Sequence, residues 1–410
     1  MKCFFLSLRA ILLALFLTFI IGGCASFNKT RTDRYVVVLS CDGFRTSYLD
    51  SFPTPSLHLL AQQGLQSEFI PCFPSLTFAN HYSMATGLYP DHHGLVSNRF
   101  YDSTLKKRYA ISDRKAVEDP IFYGGEPLWN TAARQGLRTA AYFWVGSETA
   151  INGRWPHVWK KYDASVSFQA RADSVISWLQ LPQNKRPRLV MWYLDQPDHA
   201  GHRHGPNGTE TRRQVQRVDS VIGYFYNRLK ELPIANKVDF LIVSDHGMAA
   251  LDTTRYVNLN DYLHPSTFEA VIEGVPAMLY LKDKSKVKAV LDTLQKVPHV
   301  RCYAREQLPQ RLKYGTHNRV GDIVIIPEIG GMVQFRNKNN PLTGGAHGYD
   351  NQLPEMRAIF IAVGPDFKPN SKHAAVPNIT LYPLVCKLLG IQPAHTDASP
   401  MLVKSLLHAR

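Results

Sequence analysis

Three apolar, β-branched runs in this chain end on an acidic residue, and no other feature narrows the choice of fold so far. Tyr35-Val36-Val37-Val38-Leu39 leads into Ser40-Cys41-Asp42-Gly43. Leu189-Val190-Met191-Trp192-Tyr193-Leu194 leads into Asp195 and Asp198, and Phe240-Leu241-Ile242-Val243 into Ser244-Asp245-His246-Gly247. A fourth run, Ile359-Phe360-Ile361-Ala362-Val363, ends at Gly364-Pro365. None alternates apolar with polar residues, so each reads as a strand covered on both faces, as in a parallel sheet. Helical patterns lie between them, for example over Arg212 to Lys230 and Val376 to Leu389. The alternation predicts an α/β fold, a mainly parallel sheet flanked by helices. Ligands of such sheets collect beyond the carboxyl ends of the strands, where these acidic residues stand.

Residues 266–340 have a different texture. Ala277 to Leu281, Val300 to Ala304 and Asp322 to Pro327 read as strands, and Lys284 to Gln295 as a helix. This predicts a small α+β lobe inserted into a core made of 34–265 and 341–410. A chain of 410 residues with 45% hydrophobic content is large enough for both. It has no low-complexity tract and no repeat of fixed period, which excludes a disordered or solenoid protein.

The amino terminus carries its own pattern. Lys2 and Arg9 precede an apolar run from Ala10 to Ile21, followed by Gly22-Gly23-Cys24. A basic start, an apolar stretch and small residues describe an export signal over 1–23. Ile21-Gly22-Gly23-Cys24 resembles a bacterial lipobox, which makes Cys24 the expected lipidated first residue and 24–33 a short tether. The expected location is a bacterial cell envelope, lipid-anchored and facing the periplasm or exterior. Cys41, Cys72, Cys302 and Cys386 remain, without the close spacing of a zinc ribbon. The net charge of +14 suits anionic substrates or an anionic membrane. No dense Lys/Arg stripe with interleaved aromatics accompanies it, so sequence-specific nucleic-acid binding is not expected.

The polar residues at the strand ends carry the chemistry. Asp42 follows the first strand, Asp198 and His202 lie four apart, and Asp245 and His246 are adjacent. His347 sits in Gly344-Gly345-Ala346-His347-Gly348. Taken singly, each has an ordinary role as a cap, turn or loop residue. Together, three carboxylates and three imidazoles suit zinc better than manganese or iron. Six ligands exceed one tetrahedral ion, so two metals are implied. Two metals about 4 Å apart can clamp both oxygens of an in-line displacement at phosphorus. Phe73-Pro74-Ser75-Leu76-Thr77-Phe78 opens an expected helix that stops at Gly87. Thr77 then stands near a helix N-terminus, which favours negative charge on an alkoxide or a phosphate. Alone it would be an ordinary N-cap; beside metals its hydroxyl can be activated.

These blocks together resemble the nucleotide pyrophosphatase/phosphodiesterase family of the alkaline phosphatase superfamily. The matching segments are Leu39 to Arg45, Phe73 to Asn98, Tyr193 to Pro206, Ser244 to Met248 and Gly345 to Gly348. The resemblance implies an alkaline-phosphatase-like core and two Zn2+ per chain. Asp42, Asp245 and His246 would hold one ion with Thr77, and Asp198, His202 and His347 the other. Thr77 would attack phosphorus and form a phospho-threonine, which water then hydrolyses to release a nucleoside monophosphate. Of Asn80 and Asn98, the family pattern points to Asn98 as donor to a phosphate oxygen. Phe78 and Tyr193 match positions that sandwich a nucleobase. The stretch Gly153 to Trp159 departs from the pattern, so Trp155, Trp159 or Tyr162 could form the remaining wall. Cys72-Phe73-Pro74-Ser75-Leu76 mimics a sulfatase modification motif but has Leu76 where that motif needs arginine.

The expected partner is a small phosphodiester or nucleotide, with a membrane reached through Cys24. Choline- or lipid-linked diesters are an alternative substrate class. A phosphomonoesterase with the same metals would need an added cation, for which Arg45 and Arg99 are candidates. An envelope binding protein without catalysis is the reading from a different class.

Overall fold

The computed structural model describes residues 33–335 and 343–408. Cys24, the expected signal over 1–23 and nearly all of the expected tether lie outside the described residues. Among the described residues no helix is long and apolar enough to cross a membrane.

The acid-terminated runs form adjacent strands of a nine-stranded sheet. Strand Tyr35–Cys41 lies at its centre, parallel to Leu189–Leu194 on one side and to Val238–Val243 on the other. Thr139–Tyr142 and Val158–Lys160 extend the sheet in parallel on the Leu189–Leu194 side. Alternate side chains of the central strand enter opposite cores. Val36 and Val38 join Leu241, Val243 and Phe360, whereas Val37 and Leu39 join Val190, Trp192 and Ile242. Val36 to Leu39 are fully buried. Each such side chain contributes about 1.5–3 kcal/mol relative to exposure. Burial on both faces explains the unbroken apolar runs.

Ala358–Val363 corrects the expectation for the fourth run. It pairs antiparallel with both Val238–Val243 and Leu65–Ile70. Its apolar pattern reports cover on two faces, and that pattern is the same in either direction. The helix expected over Val376 to Leu389 is shorter than read. Val376–Pro377 pairs with Phe69–Ile70, and the α-helix runs over Leu381–Leu389. The helix expected from Arg212 begins at Thr209, directly after Gly208, and runs to Lys230.

A separate four-stranded antiparallel sheet is built from Phe268–Ile272, Ala277–Leu281, Ile323–Pro327 and Val300–Ala304, in that spatial order. Helix Val287–Leu294 packs on it through Val290, Leu291 and Leu294, which share a core with Leu279, Leu281 and Ile325.

Candidate active site

Each parallel strand delivers its polar residues to the same end of the sheet. Asp42 follows the central strand, and its backbone is tied to the neighbouring loop in two places. Its N–H donates to Leu194 at 2.9 Å, and the Asp198 N–H donates to its carbonyl at 3.0 Å. Helix Asp198–His204 then places Asp198 and His202 on one face, four residues apart. Asp245 and His246 follow Val238–Val243 directly. His347 arrives from far along the chain. Gly345–Ala346 pairs antiparallel with Ala249–Ala250, which sets His347 beside the Asp245-His246 turn. Gly344 makes this approach possible: its φ is +90°, and a Cβ there would lie 1.9 Å from the His202 carbonyl oxygen.

The three imidazoles point inward in the same way. Nδ1 of His202 donates to the Gly345 carbonyl at 2.9 Å, Nδ1 of His246 to Gly247 at 2.9 Å, and Nδ1 of His347 to Ser75 at 2.8 Å. A proton on Nδ1 leaves the Nε2 lone pair free to bind a cation, as in a metal-ligating histidine with its outer partner in place. Nε2 of His246 lies 3.0 Å from Asp245 Oδ2 and 3.5 Å from Asp42 Oδ1. Nε2 of His202 and of His347 each lie 3.5 Å from Asp198 Oδ1, and 3.1 Å from one another. Two lone pairs that close repel unless a cation stands between them. Asp42, Asp245 and His246 form one compact donor group, and Asp198, His246 and His347 a second. His202 borders the second group.

Charge makes the same point. Asp42 Oδ1, Asp198 Oδ1 and Asp245 Oδ2 are buried without a hydrogen-bond partner. Burial, then the charges of Asp245 and Asp198, pushes Asp42 well above the usual carboxylate range. Burial also opposes ionisation of Asp245, but the neighbouring His246 and His81 outweigh it and hold Asp245 low. Burial, reinforced by His246 and His202, holds His347 well below the ordinary histidine value. Orphaned carboxylate oxygens among inward-facing imidazole lone pairs fit divalent cations.

Thr77 is the first residue of helix Thr77–Thr86, and Leu76 is the cap. Ser75, the expected start signal, instead spends its hydroxyl on the Tyr349 carbonyl at 2.9 Å. Thr77 Oγ1 lies 3.1 Å from Nε2 of His246. The Phe78 N–H donates to Asn98 Oδ1 at 2.8 Å, which fixes Asn98 at the same helix end. Asn80 is committed elsewhere. It accepts from the Cys72 N–H at 2.7 Å and donates to the Pro74 and Leu76 carbonyls at 2.9 and 3.0 Å.

Sequence reasoning gave no role to two contacts that shape the site. The Tyr193 hydroxyl donates to Asp42 Oδ2 at 2.5 Å, so this residue touches a carboxylate of the donor group. His81, fully buried, accepts from the Ser40 hydroxyl at 2.8 Å and donates from Nδ1 to the Thr77 carbonyl at 2.9 Å. The same Nδ1 lies 3.3 Å from Asp245 Oδ2. The available signal was spacing: His81 stands one helical turn after Thr77. His92, His93 and His199 contact Asp397, Ser83 and Asp195 respectively.

The aromatic wall also separates. Trp155 precedes the edge strand Val158–Lys160 at its amino end, and Trp159 lies exposed on it. Tyr162 follows the strand at its carboxyl end, the end of the sheet where the donor groups gather. Its hydroxyl is pushed up to about 12 by burial and then by the charge of Asp195.

Residues 36–350 match the family model described as type I phosphodiesterase / nucleotide pyrophosphatase. The chain is 34% identical over 401 residues to venom phosphodiesterase CdcPDE of Crotalus durissus collilineatus, covering 94% of this chain and 48% of that protein. It is 33% identical over 386 residues to ectonucleotide pyrophosphatase/phosphodiesterase family member 3 of Rattus norvegicus, covering 91% and 44%. The chain thus spans about half the length of the curated relatives it matches. Among solved structures, an inactive variant of murine ectonucleotide pyrophosphatase/phosphodiesterase 5 in complex with AMP superposes with a TM-score of 0.87 at 31% identity. That match covers 92% of this chain and 100% of the murine one. A fold of the alkaline-phosphatase type, a family match across most of the described residues and a convergent donor set lead to one assignment: this chain belongs to the type I phosphodiesterase / nucleotide pyrophosphatase family.

Proposed function

We propose that this protein hydrolyses phosphate diesters and nucleotide pyrophosphate bonds with Thr77 as nucleophile, releasing a nucleoside monophosphate. The observation that carries the reading is the Thr77 hydroxyl, first in its helix and 3.1 Å from His246, beside three orphaned carboxylate oxygens. Two zinc ions would be held by Asp42, Asp245 and His246 with Thr77, and by Asp198, His202 and His347. When bound, they supply the charge that activates a hydroxyl and neutralises a transferring phosphoryl group.

The chain's own residues do the rest. Thr77 Oγ1 forms the new bond to phosphorus as the bond to the leaving oxygen breaks, and water later cleaves the phospho-threonine. The helix N-terminus stabilises negative charge beside Thr77. Asn98, anchored through its carbonyl oxygen, turns its amide donors toward a non-bridging oxygen. Phe78 and Tyr193 offer ring faces to a base, and Tyr162 offers the third wall. AMP bound to the murine relative is consistent with a nucleoside monophosphate product. The names of the relatives, ectoenzymes and venom proteins, accord with export, and Cys24 would supply the anchor.

Both candidate cations of the monoesterase reading bind backbone carbonyls. Arg45 donates to the Met248 carbonyl at 3.2 Å and Arg99 to the Glu273 carbonyl at 3.1 Å.

Hydrolysis of bis-p-nitrophenyl phosphate and of p-nitrophenyl phosphate, each with and without chelator, tests the proposal. A chelator-sensitive preference for the diester is expected. A preference for the monoester, or no turnover of either, would overturn it.

A further inference from the structure

The ligand-bearing loops occupy one end of the sheet; the opposite end is basic. Strand register places Tyr35 beside Val238, Val36 beside Leu189, Thr139 beside Leu189, and Ala140 beside Val158. Residues just ahead of these strands therefore share one level: Arg34, Arg138 and Lys237. The Arg154-Trp155 segment stands two residues ahead of Val158–Lys160 and joins this level through His157, whose N–H donates to Thr139 Oγ1 at 3.4 Å. Lys185 joins them, since its carbonyl accepts from Arg138 Nε at 3.2 Å. Arg138, Arg154 and Lys185 are exposed. Asp33 and Asp366, which lie among these cations, are held by Lys237 and Arg34. Arg138, Arg154 and Lys185 make no ion pair among the described residues, so their charge faces solvent. Trp155 is 48% exposed, unusual for so large a ring. Two residues earlier, Gly153 has φ +72° and open space where a side chain would project, so the turn stands clear of the body.

We propose that this end of the sheet is a docking face for an anionic lipid bilayer. Exposed Lys and Arg attract acidic headgroups within a Debye length. An indole, apolar in body with one polar N–H, suits the headgroup level. The place where the chain leaves the described body supports the same occupant. Asp33 lies on this face, so the thirty-two residues before it, Cys24 included, connect here. A bilayer bound at this end leaves the ligand-bearing loops facing away from it, open to soluble substrate. The inference rests on charge and topology and is independent of the catalytic proposal.

Vesicle sedimentation tests it. The compact unit Asp33–Arg410, which lacks Cys24, is mixed with vesicles of phosphatidylcholine alone or with about one third phosphatidylglycerol. Binding to the anionic vesicles at low salt, release at high salt and no binding to the neutral ones is expected. The triple charge reversal R138E/R154E/K185E should lower the bound fraction about tenfold while turnover of a soluble diester stays unchanged. Trp155→Ser, checked for native circular dichroism, should lower it about threefold. Equal binding to neutral vesicles, binding unaffected by the charge reversal, or retention on duplex DNA without vesicle binding would each overturn the proposal.

Discussion

The Tyr193 hydroxyl donates a 2.5 Å hydrogen bond to Asp42, joining the ends of two neighbouring parallel strands at the centre of the site. Asp42 is buried, and its other oxygen has no hydrogen-bond partner. The Tyr193 contact thus orients a carboxylate whose free oxygen is left for a cation. Outer partners of this kind commonly govern metal affinity or activity by about 10–100-fold. Tyr193→Phe should keep the aromatic ring yet weaken zinc binding at least about tenfold. Competition with a chromogenic chelator reads this directly. Wild-type affinity in the variant would assign Tyr193 to substrate contact alone.

Removing the Thr77 hydroxyl should separate chemistry from metal binding. Thr77→Ala is expected to lower turnover of a diester by about a thousandfold or more, the scale seen when a nucleophile is deleted. The three carboxylates and three imidazoles remain, so metal content by elemental analysis should not change. Turnover near the wild-type rate would eliminate Thr77 as nucleophile.

His347→Ala removes one inward-facing imidazole and its tie to the Ser75 carbonyl. About one equivalent of metal should be lost while Asp42, Asp245 and His246 retain the other. Inductively coupled plasma measurement on the dialysed variant decides this. Two full equivalents would take His347 off the ligand set.

A pH effect on stability should come from a pair remote from the active site. Asp239 is buried against Asp366, and burial, then the Asp366 charge, pushes its carboxyl up to about 8 from an ordinary 3.8. Its Oδ1 accepts the Asp366 N–H at 3.2 Å, and its Oδ2 has no partner. The folded protein therefore keeps a proton that the unfolded chain releases. Stability is full below the unfolded value and is lost as pH rises toward 8, by at most about 1.4 kcal/mol per pH unit. Asp239→Asn cannot ionise, so its Tm at pH 8 should exceed that of the wild type, and the gap should close as pH falls to the unfolded value of 3.8. A gap that stays constant between pH 8 and that value, or widens toward it, would refute this assignment.

The acid-terminated strands, the acids at their ends and the chemical nature of the donors were legible in the sequence, whereas Leu65–Ile70, Thr139–Tyr142 and Val158–Lys160 of the same sheet were not. A strand buried on both faces reads as apolar throughout, and a polar residue directly after it marks the end of that strand; both follow from local composition. The Thr77 helix was legible for the same reason, through its Pro-Ser start and Gly87 stop, although the structure gave the cap to Leu76. Strand direction was not legible. Ala358–Val363 is as apolar as its parallel neighbours yet runs against them, because hydrophobic burial has no polarity along the chain. Tertiary structure alone decided that Tyr193 reaches Asp42 across 151 positions and that His81 braces both Thr77 and Asp245. Such contacts depend on how loops close over the sheet. Periodicity records which face of an element is covered, and it carries no record of which distant group covers it.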